Sequence, residues 1–165
     1  MQRERILTYR LRGNRITAHQ EAAFNAYWEK FGLPNDGEIN LKAIFPEAKS
    51  RILEIGFGMG EATAHIAGLM PEKNFLCCEV HEPGVGALLK RIGEQALENI
   101  RIVQHDAVEV MDRMLPEGSL AGIHIFFPDP WHKLRHHKRR LIQSPLVARL
   151  ATRLAPGGYL HCATD

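Results

Sequence analysis

Arg51-Ile52-Leu53-Glu54-Ile55-Gly56-Phe57-Gly58-Met59-Gly60 is the stretch from which the fold can be worked out. Three apolar positions, Ile52, Leu53 and Ile55, around one acid lead straight into three glycines at alternate positions. Glu61 to Met70 then continues with helical spacing. A strand, a tight turn and a helix are expected in that order. Glycine tolerates left-handed dihedrals and carries no Cβ, so this turn can bend sharply and bring bare backbone close to a ligand.

The same alternation continues along the chain. Strand-like runs stand at Asn74 to Val80, Ile100 to Gln104, Gly122 to Phe127 and Tyr159 to Ala163, with helical segments at Pro83 to Leu97, Ala107 to Met114 and Leu141 to Leu154. Runs such as Phe75-Leu76-Cys77-Cys78 and Ile123-His124-Ile125-Phe126-Phe127 are apolar on both faces, as central strands of a parallel sheet covered on both sides must be. The expected fold class is α/β, a doubly wound, mostly parallel sheet with helices on both faces. That domain is expected to span residues 50–165. Residues 1–49 divide into a basic arm with five arginines up to Arg15, a helix and a connecting loop. Thr17 and Gln20 have capping-box spacing, Phe24, Tyr27, Trp28 and Phe31 form a core-facing stripe, and Gly32 stands just past it. Leu33 to Lys49 reads as a loop with a short extended piece from Ile39 to Phe45. The arm reads equally as a flexible solvated segment or as a binding element.

Composition narrows the function classes. With 165 residues, 45% of them hydrophobic and 24% charged, the chain can bury one sizeable core. No run approaches the roughly 18 apolar residues of a membrane helix, and Met1-Gln2-Arg3-Glu4-Arg5 lacks the layout of a secretory signal. No membrane association and a cytoplasmic location are expected. Cys77 and Cys78 read as small buried hydrophobes, so disulfides are not expected. The net charge of +2 is too small to announce a nucleic-acid partner, so only the distribution of charge can.

Three acids fall at or just after successive strands: Glu54, Glu79 and Asp106. Glu79 follows the glycines by about 20 residues, the separation at which a carboxylate reaches the two hydroxyls of a ribose. That suits a dinucleotide and S-adenosylmethionine equally. The turn discriminates. A dinucleotide fingerprint reads GxGxxG and offers a helix N-terminus to an anionic pyrophosphate, whereas Gly56, Gly58 and Gly60 read GxGxG with Glu54 two residues ahead. An acid there repels a pyrophosphate and suits the ammonium of a methionine moiety. S-adenosylmethionine is therefore the expected cofactor, with Asp106 accepting from the adenine amine. The competing reading makes the three acids strand-end caps of neighbouring helices.

After the fourth strand comes Phe126-Phe127-Pro128-Asp129-Pro130-Trp131-His132-Lys133-Leu134-Arg135-His136-His137-Lys138-Arg139-Arg140. Two prolines stiffen a turn on the cofactor edge, so Asp129 falls where a methyl acceptor would lie. The cations from Lys133 to Arg140, beside Trp131, suit phosphates and a base, although such a run also reads as a solvated face. His132 and His136 stand four apart with no Cys or acidic partner, so no metal is expected.

These motifs together resemble the bacterial tRNA (guanine-N7)-methyltransferases. The resemblance rests on Leu53 to Gly60, Glu79-Val80-His81, Gly84-Val85-Gly86, His105-Asp106-Ala107, Phe126 to Lys133, Lys138-Arg139-Arg140 and Ala163-Thr164-Asp165. It implies a Rossmann-like class I SAM-dependent methyltransferase fold that forms N7-methylguanosine in the tRNA variable loop. Carried over residue by residue, it implies cofactor contacts for Glu54, Gly56, Gly58, Gly60, Glu79, Asp106 and Asp129, with Asp129 catalytic. It implies substrate or RNA contacts for Lys133, Arg135, His136, His137, Lys138, Arg139, Arg140 and Asp165. Further strands and a Thr-x-x-Glu motif would follow Asp165 in such a protein, so an incomplete sheet and reduced turnover are expected. An NAD-type oxidoreductase on the same fold and a non-catalytic RNA-binding fragment remain as alternatives, as do a monomer and a homodimer.

Overall fold

The computed structural model describes residues 6–10, 13 and 15–165. Six strands form the sheet: β1 (Gly32–Leu33), β2 (Ser50–Ile55), β3 (Lys73–Cys78), β4 (Ile100–Val103), β5 (Leu120–Phe126) and β6 (Leu154–Ala163). The helices are α1 (Ala18–Phe31), α2 (Leu41–Ile44), α3 (Glu61–Leu69), α4 (Glu82–Gln95), α5 (Ala107–Glu109) and α6 (Ser144–Arg153). The strand order is β1-β4-β3-β2-β5-β6, and every pairing is parallel. From β2 the chain adds β3 and β4 on one side, then returns to add β5 and β6 on the other. The reversal lies between β2 and β5, and ligands of such sheets bind in the crevice beyond the strand ends there.

Alternation along the strands builds two cores. Ile52, Phe75, Cys77, Ile100 and Ile102 pack with α1, α3 and α4 on one face. Leu53, Ile55, Leu76, Cys78, Ile123 and Ile125 pack with the segment after β4 and with α6 on the other. The aromatic stripe of α1 does face the core: Phe31 is buried and Phe24, Tyr27 and Trp28 pack against the same cluster. Its capping box forms in both directions between Thr17 and Gln20.

Several local expectations change. The piece expected to be extended from Ile39 to Phe45 is helical over Leu41–Ile44, because the Asn40 side chain accepts from the Lys42 N–H and opens a helical turn. Gly32 ends α1 in an extended conformation, φ −82°, so its value lies in closeness: a Cβ there would stand 2.2 Å from the Trp28 ring. Leu33, expected in the loop, instead pairs with Val103 at the sheet edge. The helix after β4 widens into a π-helical stretch over Val110–Met114, and the last helix starts at Ser144, after Leu141 has entered the core as part of the preceding turn. The arm expected to be flexible is partly fastened. Leu7, Thr8 and Arg10 hydrogen-bond to the segment after β5, while Arg3, Arg5 and Arg12 lie outside the described residues.

Helix α4 crosses close over the glycine turn. A Cβ on Gly84 would stand 2.1 Å from the Gly58 carbonyl oxygen, and backbone atoms cannot rotate away as a side chain can. Gly84→Ala is expected to cost about 2 kcal/mol through overpacking, a thermal midpoint lower by roughly 4–8 °C. Gly68→Ala, whose Cβ would meet only Leu97 at 3.8 Å, should leave the midpoint unchanged or raise it. An unchanged midpoint in Gly84→Ala would mean that α4 shifts freely over the turn.

Candidate active site

The loops after β2, β3, β4 and β5 converge on a cavity of about 260 Å³. Gly56, Gly58 and Gly60 take φ of +71°, +58° and +75°, the left-handed region that favours glycine. Their roles then diverge. A Cβ on Gly56 or Gly58 would meet nothing within 4 Å, because both residues line the open cavity. Gly60 faces inward, where a Cβ would stand 2.7 Å from Leu88 Cβ, and it serves the packing of α3 on α4.

Glu79 ties this turn to the next strand. Its Oε2 accepts from the Gly58 N–H at 2.8 Å, and its Oε1 accepts from the N–H groups of Val80 at 2.8 Å and His81 at 3.1 Å. Oε1 thus accepts twice and Oε2 once, so of the carboxylate's lone pairs the second one on Oε2 is left to accept a hydroxyl from the cavity that Glu79 lines. Asp106 combines the two readings open to it. Its Oδ1 caps α5 by accepting from Val108 and Glu109 N–H, and the residue also forms cavity wall.

Asp129 stands on the opposite wall, where Phe127 and Trp131 on either side of Pro128-Asp129-Pro130 hold φ of +47° and +45°. Positive φ at bulky residues is costly and concentrates at functional sites. Asp129 Oδ2 accepts from the Arg10 N–H at 2.9 Å. A second cavity, lined by Pro130, Trp131, His132, Lys133 and His136, shares Arg10 and Asp129 with the first.

The basic run forms a 3₁₀ helix over Leu134–Arg139 with no buried residue. Its cations are not equivalent. Arg139 lies 4.2 Å from the Trp131 ring centre and donates to the Leu7 carbonyl, and Arg140 donates to the Pro130 carbonyl. Lys133, Arg135 and Lys138 are exposed. His137 lies 3.2 Å from the His132 carbonyl oxygen. Packing, followed by the charges of Arg135, Arg139, Lys133 and Arg10, holds the His136 imidazole below its ordinary pKa. Asp165 is exposed two residues beyond β6. Thr8, Tyr9 and Arg10 also wall the first cavity. Sequence reasoning missed them because nothing in their spacing announces a partner more than a hundred residues away.

Comparison with known proteins agrees with this geometry. A family model described as "Putative methyltransferase" matches residues 48–165. The chain belongs to this family. Among its relatives, the tRNA (guanine-N(7)-)-methyltransferase of Paracidovorax citrulli is 66% identical over 161 residues, which are 97% of this chain and 65% of that protein. The enzyme of the same name from Albidiferax ferrireducens is 82% identical over 114 residues, 69% of this chain and 46% of that one. The chain thus spans about 65% of the length of the first of these relatives. In fold it is similar to the 16S rRNA methyltransferase KamB (TM-score 0.54, 15% identity, 98% of this chain and 63% of that one) and to an antibiotic-related methyltransferase (TM-score 0.59, 18% identity, 80% and 64%).

For this family member the acid before the glycines lies beneath the turn. Glu54 is 3% exposed and sits outside the cavity wall. Burial pushes its carboxyl up to about 7, the Thr63 hydroxyl opposes this in part, and the charge of Glu79 adds to it. Thr63 Oγ1 itself is buried without a partner in hydrogen-bond geometry, so its opposing effect is small and burial dominates. A carboxyl whose pKa is raised by folding stabilises the fold fully at pH below its unfolded pKa, and that contribution is lost as pH rises through about 7. Glu54→Gln removes the ionisation. The variant is expected to exceed the wild type at pH 8 by up to about 3 kcal/mol and to lose that advantage at pH 5, measured by denaturant unfolding at both values. A pH-independent difference would mean that Glu54 is ionised throughout.

Proposed function

We propose that this chain forms the cofactor-binding and guanine-recognising part of a cytoplasmic tRNA (guanine-N7)-methyltransferase that uses S-adenosylmethionine. The observation that carries this reading is the position of Asp129, half-buried across one cavity from the bare backbone of Gly56 and Gly58 and from the carboxylates of Glu79 and Asp106. The names and 66–67% identity of the Paracidovorax citrulli and Polaromonas naphthalenivorans relatives support it.

The walls fit the cofactor. Gly56 and Gly58 leave open space where any side chain would project, Glu79 suits the ribose hydroxyls, and Asp106 suits the adenine amine. When bound, S-adenosylmethionine supplies a methyl group on a positively charged sulfur. Glu54 lies beneath that turn with a carboxyl that a cation above it would favour in the ionised form.

Guanine N7 carries a lone pair and no proton, so the protein need not supply a base there. The chain has to align the acceptor. Asp129 accepts from guanine N1–H and the N2 amine, which selects guanine and offsets the positive charge that builds on the ring as the methyl–nitrogen bond forms. The exposed Lys133, Arg135 and Lys138 contact phosphates, with His136 and His137 beside them.

The test is nucleoside analysis of unmodified tRNA incubated with this chain and S-adenosylmethionine, together with calorimetry of S-adenosylhomocysteine and NAD. S-adenosylhomocysteine should bind and NAD should not, and N7-methylguanosine should be the product. Asp129→Ala is expected to reduce product formation at least roughly 100-fold while S-adenosylhomocysteine still binds. Wild-type rates in that variant, or binding of NAD alone, would overturn the reading. Each Ala substitution at Lys133, Arg135 or Lys138 should flatten the dependence of log affinity for tRNA on log salt by about 0.7–0.9.

A further inference from the structure

The segment at residues 6–10 has no part in the proposed chemistry, yet its backbone is fastened at Leu7, Thr8 and Arg10 to the segment after β5 that carries Asp129. The Thr8 carbonyl accepts from Trp131 Nε1 at 2.8 Å, the Leu7 carbonyl accepts from Arg139 Nε at 3.1 Å, and the Arg10 N–H donates to Asp129 Oδ2 at 2.9 Å. Trp131 is common to all of it. The Arg139 and Arg10 guanidiniums lie 4.2 and 5.4 Å from its ring centre, and the His136 ring meets it edge-on at 5.6 Å. The indole is 5% exposed while its neighbours His132 and Lys133 are exposed. Its φ of +45° is one that a bulky residue keeps only where the surroundings hold it.

We propose that Trp131 is a positioning residue: it fastens residues 7–10 as a strap along the cavity mouth and so holds the Asp129 carboxylate in a fixed orientation. The strap works through main-chain groups. Two carbonyls and one N–H make the three bonds, and Thr8, Tyr9 and Arg10 then complete the wall opposite Glu79 and Asp106. A base that reaches Asp129 finds its Oδ2 already accepting from the Arg10 N–H, which biases the carboxylate toward one orientation. The part of this inference that concerns ligand rests on the cavity being the cofactor site; the fastening itself does not.

The experiment separates those two parts. Tryptic cleavage after Arg10 is timed in this chain without ligand, and S-adenosylhomocysteine affinity is measured by calorimetry. Both are done for the wild type and for Trp131→Phe, and the calorimetry alone for a chain lacking residues 1–9. Phe keeps an aromatic ring at position 131 and removes the N–H that holds Thr8 together with part of the indole surface. The expected result is cleavage about tenfold faster in Trp131→Phe, with a thermal midpoint near that of the wild type, and S-adenosylhomocysteine affinity about tenfold weaker in both altered chains. If Trp131→Phe fails to fold, Arg139→Gln replaces it, since that change frees Leu7 and leaves the indole in place. Equal cleavage rates in variant and wild type overturn the proposal, as does undiminished S-adenosylhomocysteine affinity without residues 1–9. Faster cleavage in the variant with no S-adenosylhomocysteine bound by any of the chains supports the strap and overturns the cofactor reading.

Discussion

The hydrogen bond from the Gly58 N–H to the Glu79 carboxylate joins the two loops on which the rest of the site is built. Three left-handed glycines leave the turn after β2 with few internal restraints, and its N–H groups need partners. Glu79 supplies one acceptor for that turn and two for its own loop. The Gly56 N–H bonds to the Cys78 carbonyl at 2.9 Å, and α4 lies so close that only glycine fits at position 84. The floor of the cavity is therefore fixed before any ligand enters, and pre-organisation of this kind lowers what a ligand loses on binding.

Two walls of the cavity are held in different ways. On the Glu79 and Asp106 side, carboxylates are locked by neighbouring backbone N–H groups within three residues, so local sequence suffices. On the Asp129 side the loop carries two bulky residues at positive φ and borrows its restraint from residues 7–10, distant in sequence. The first wall follows from the strands. The second depends on an independent segment.

This division explains what could be read from the sequence. The strands, the glycine turn and the acids at 79 and 106 were legible because period, spacing and residue type all express local geometry. The acid at 54 was legible as part of the turn, but its depth was not: burial beneath the turn comes from α3 and from the packing of β2 between its neighbours. The helix at Leu41–Ile44 was hidden because four residues are too few to show a period, and only Asn40 marks it. The two-residue strand at Gly32–Leu33 exists because β4 offers an open edge, a tertiary fact that no local pattern records.

The basic run is where a purely compositional argument goes furthest astray. Counted as charge, Lys133 to Arg140 is one patch. In the folded chain Arg139 is spent on an indole face and a carbonyl, and Arg140 on the Pro130 carbonyl, while Lys133, Arg135 and Lys138 face solvent. Guanidinium suits the first task, since it is planar, stacks on aromatic rings and donates along fixed directions, whereas an ammonium is a hydrated point charge that needs only proximity to a phosphate. Residue type alone does not sort the run, since Arg135 is exposed with the lysines and Arg140 is exposed while it donates to the Pro130 carbonyl. Both of its lysines, Lys133 and Lys138, stand exposed, and Arg139 and Arg140 donate to the carbonyls of Leu7 and Pro130. The exposed cations and the contacts that fasten Leu7 and Pro130 are drawn from the same eight residues, so neither can be altered by charge alone without regard to the other.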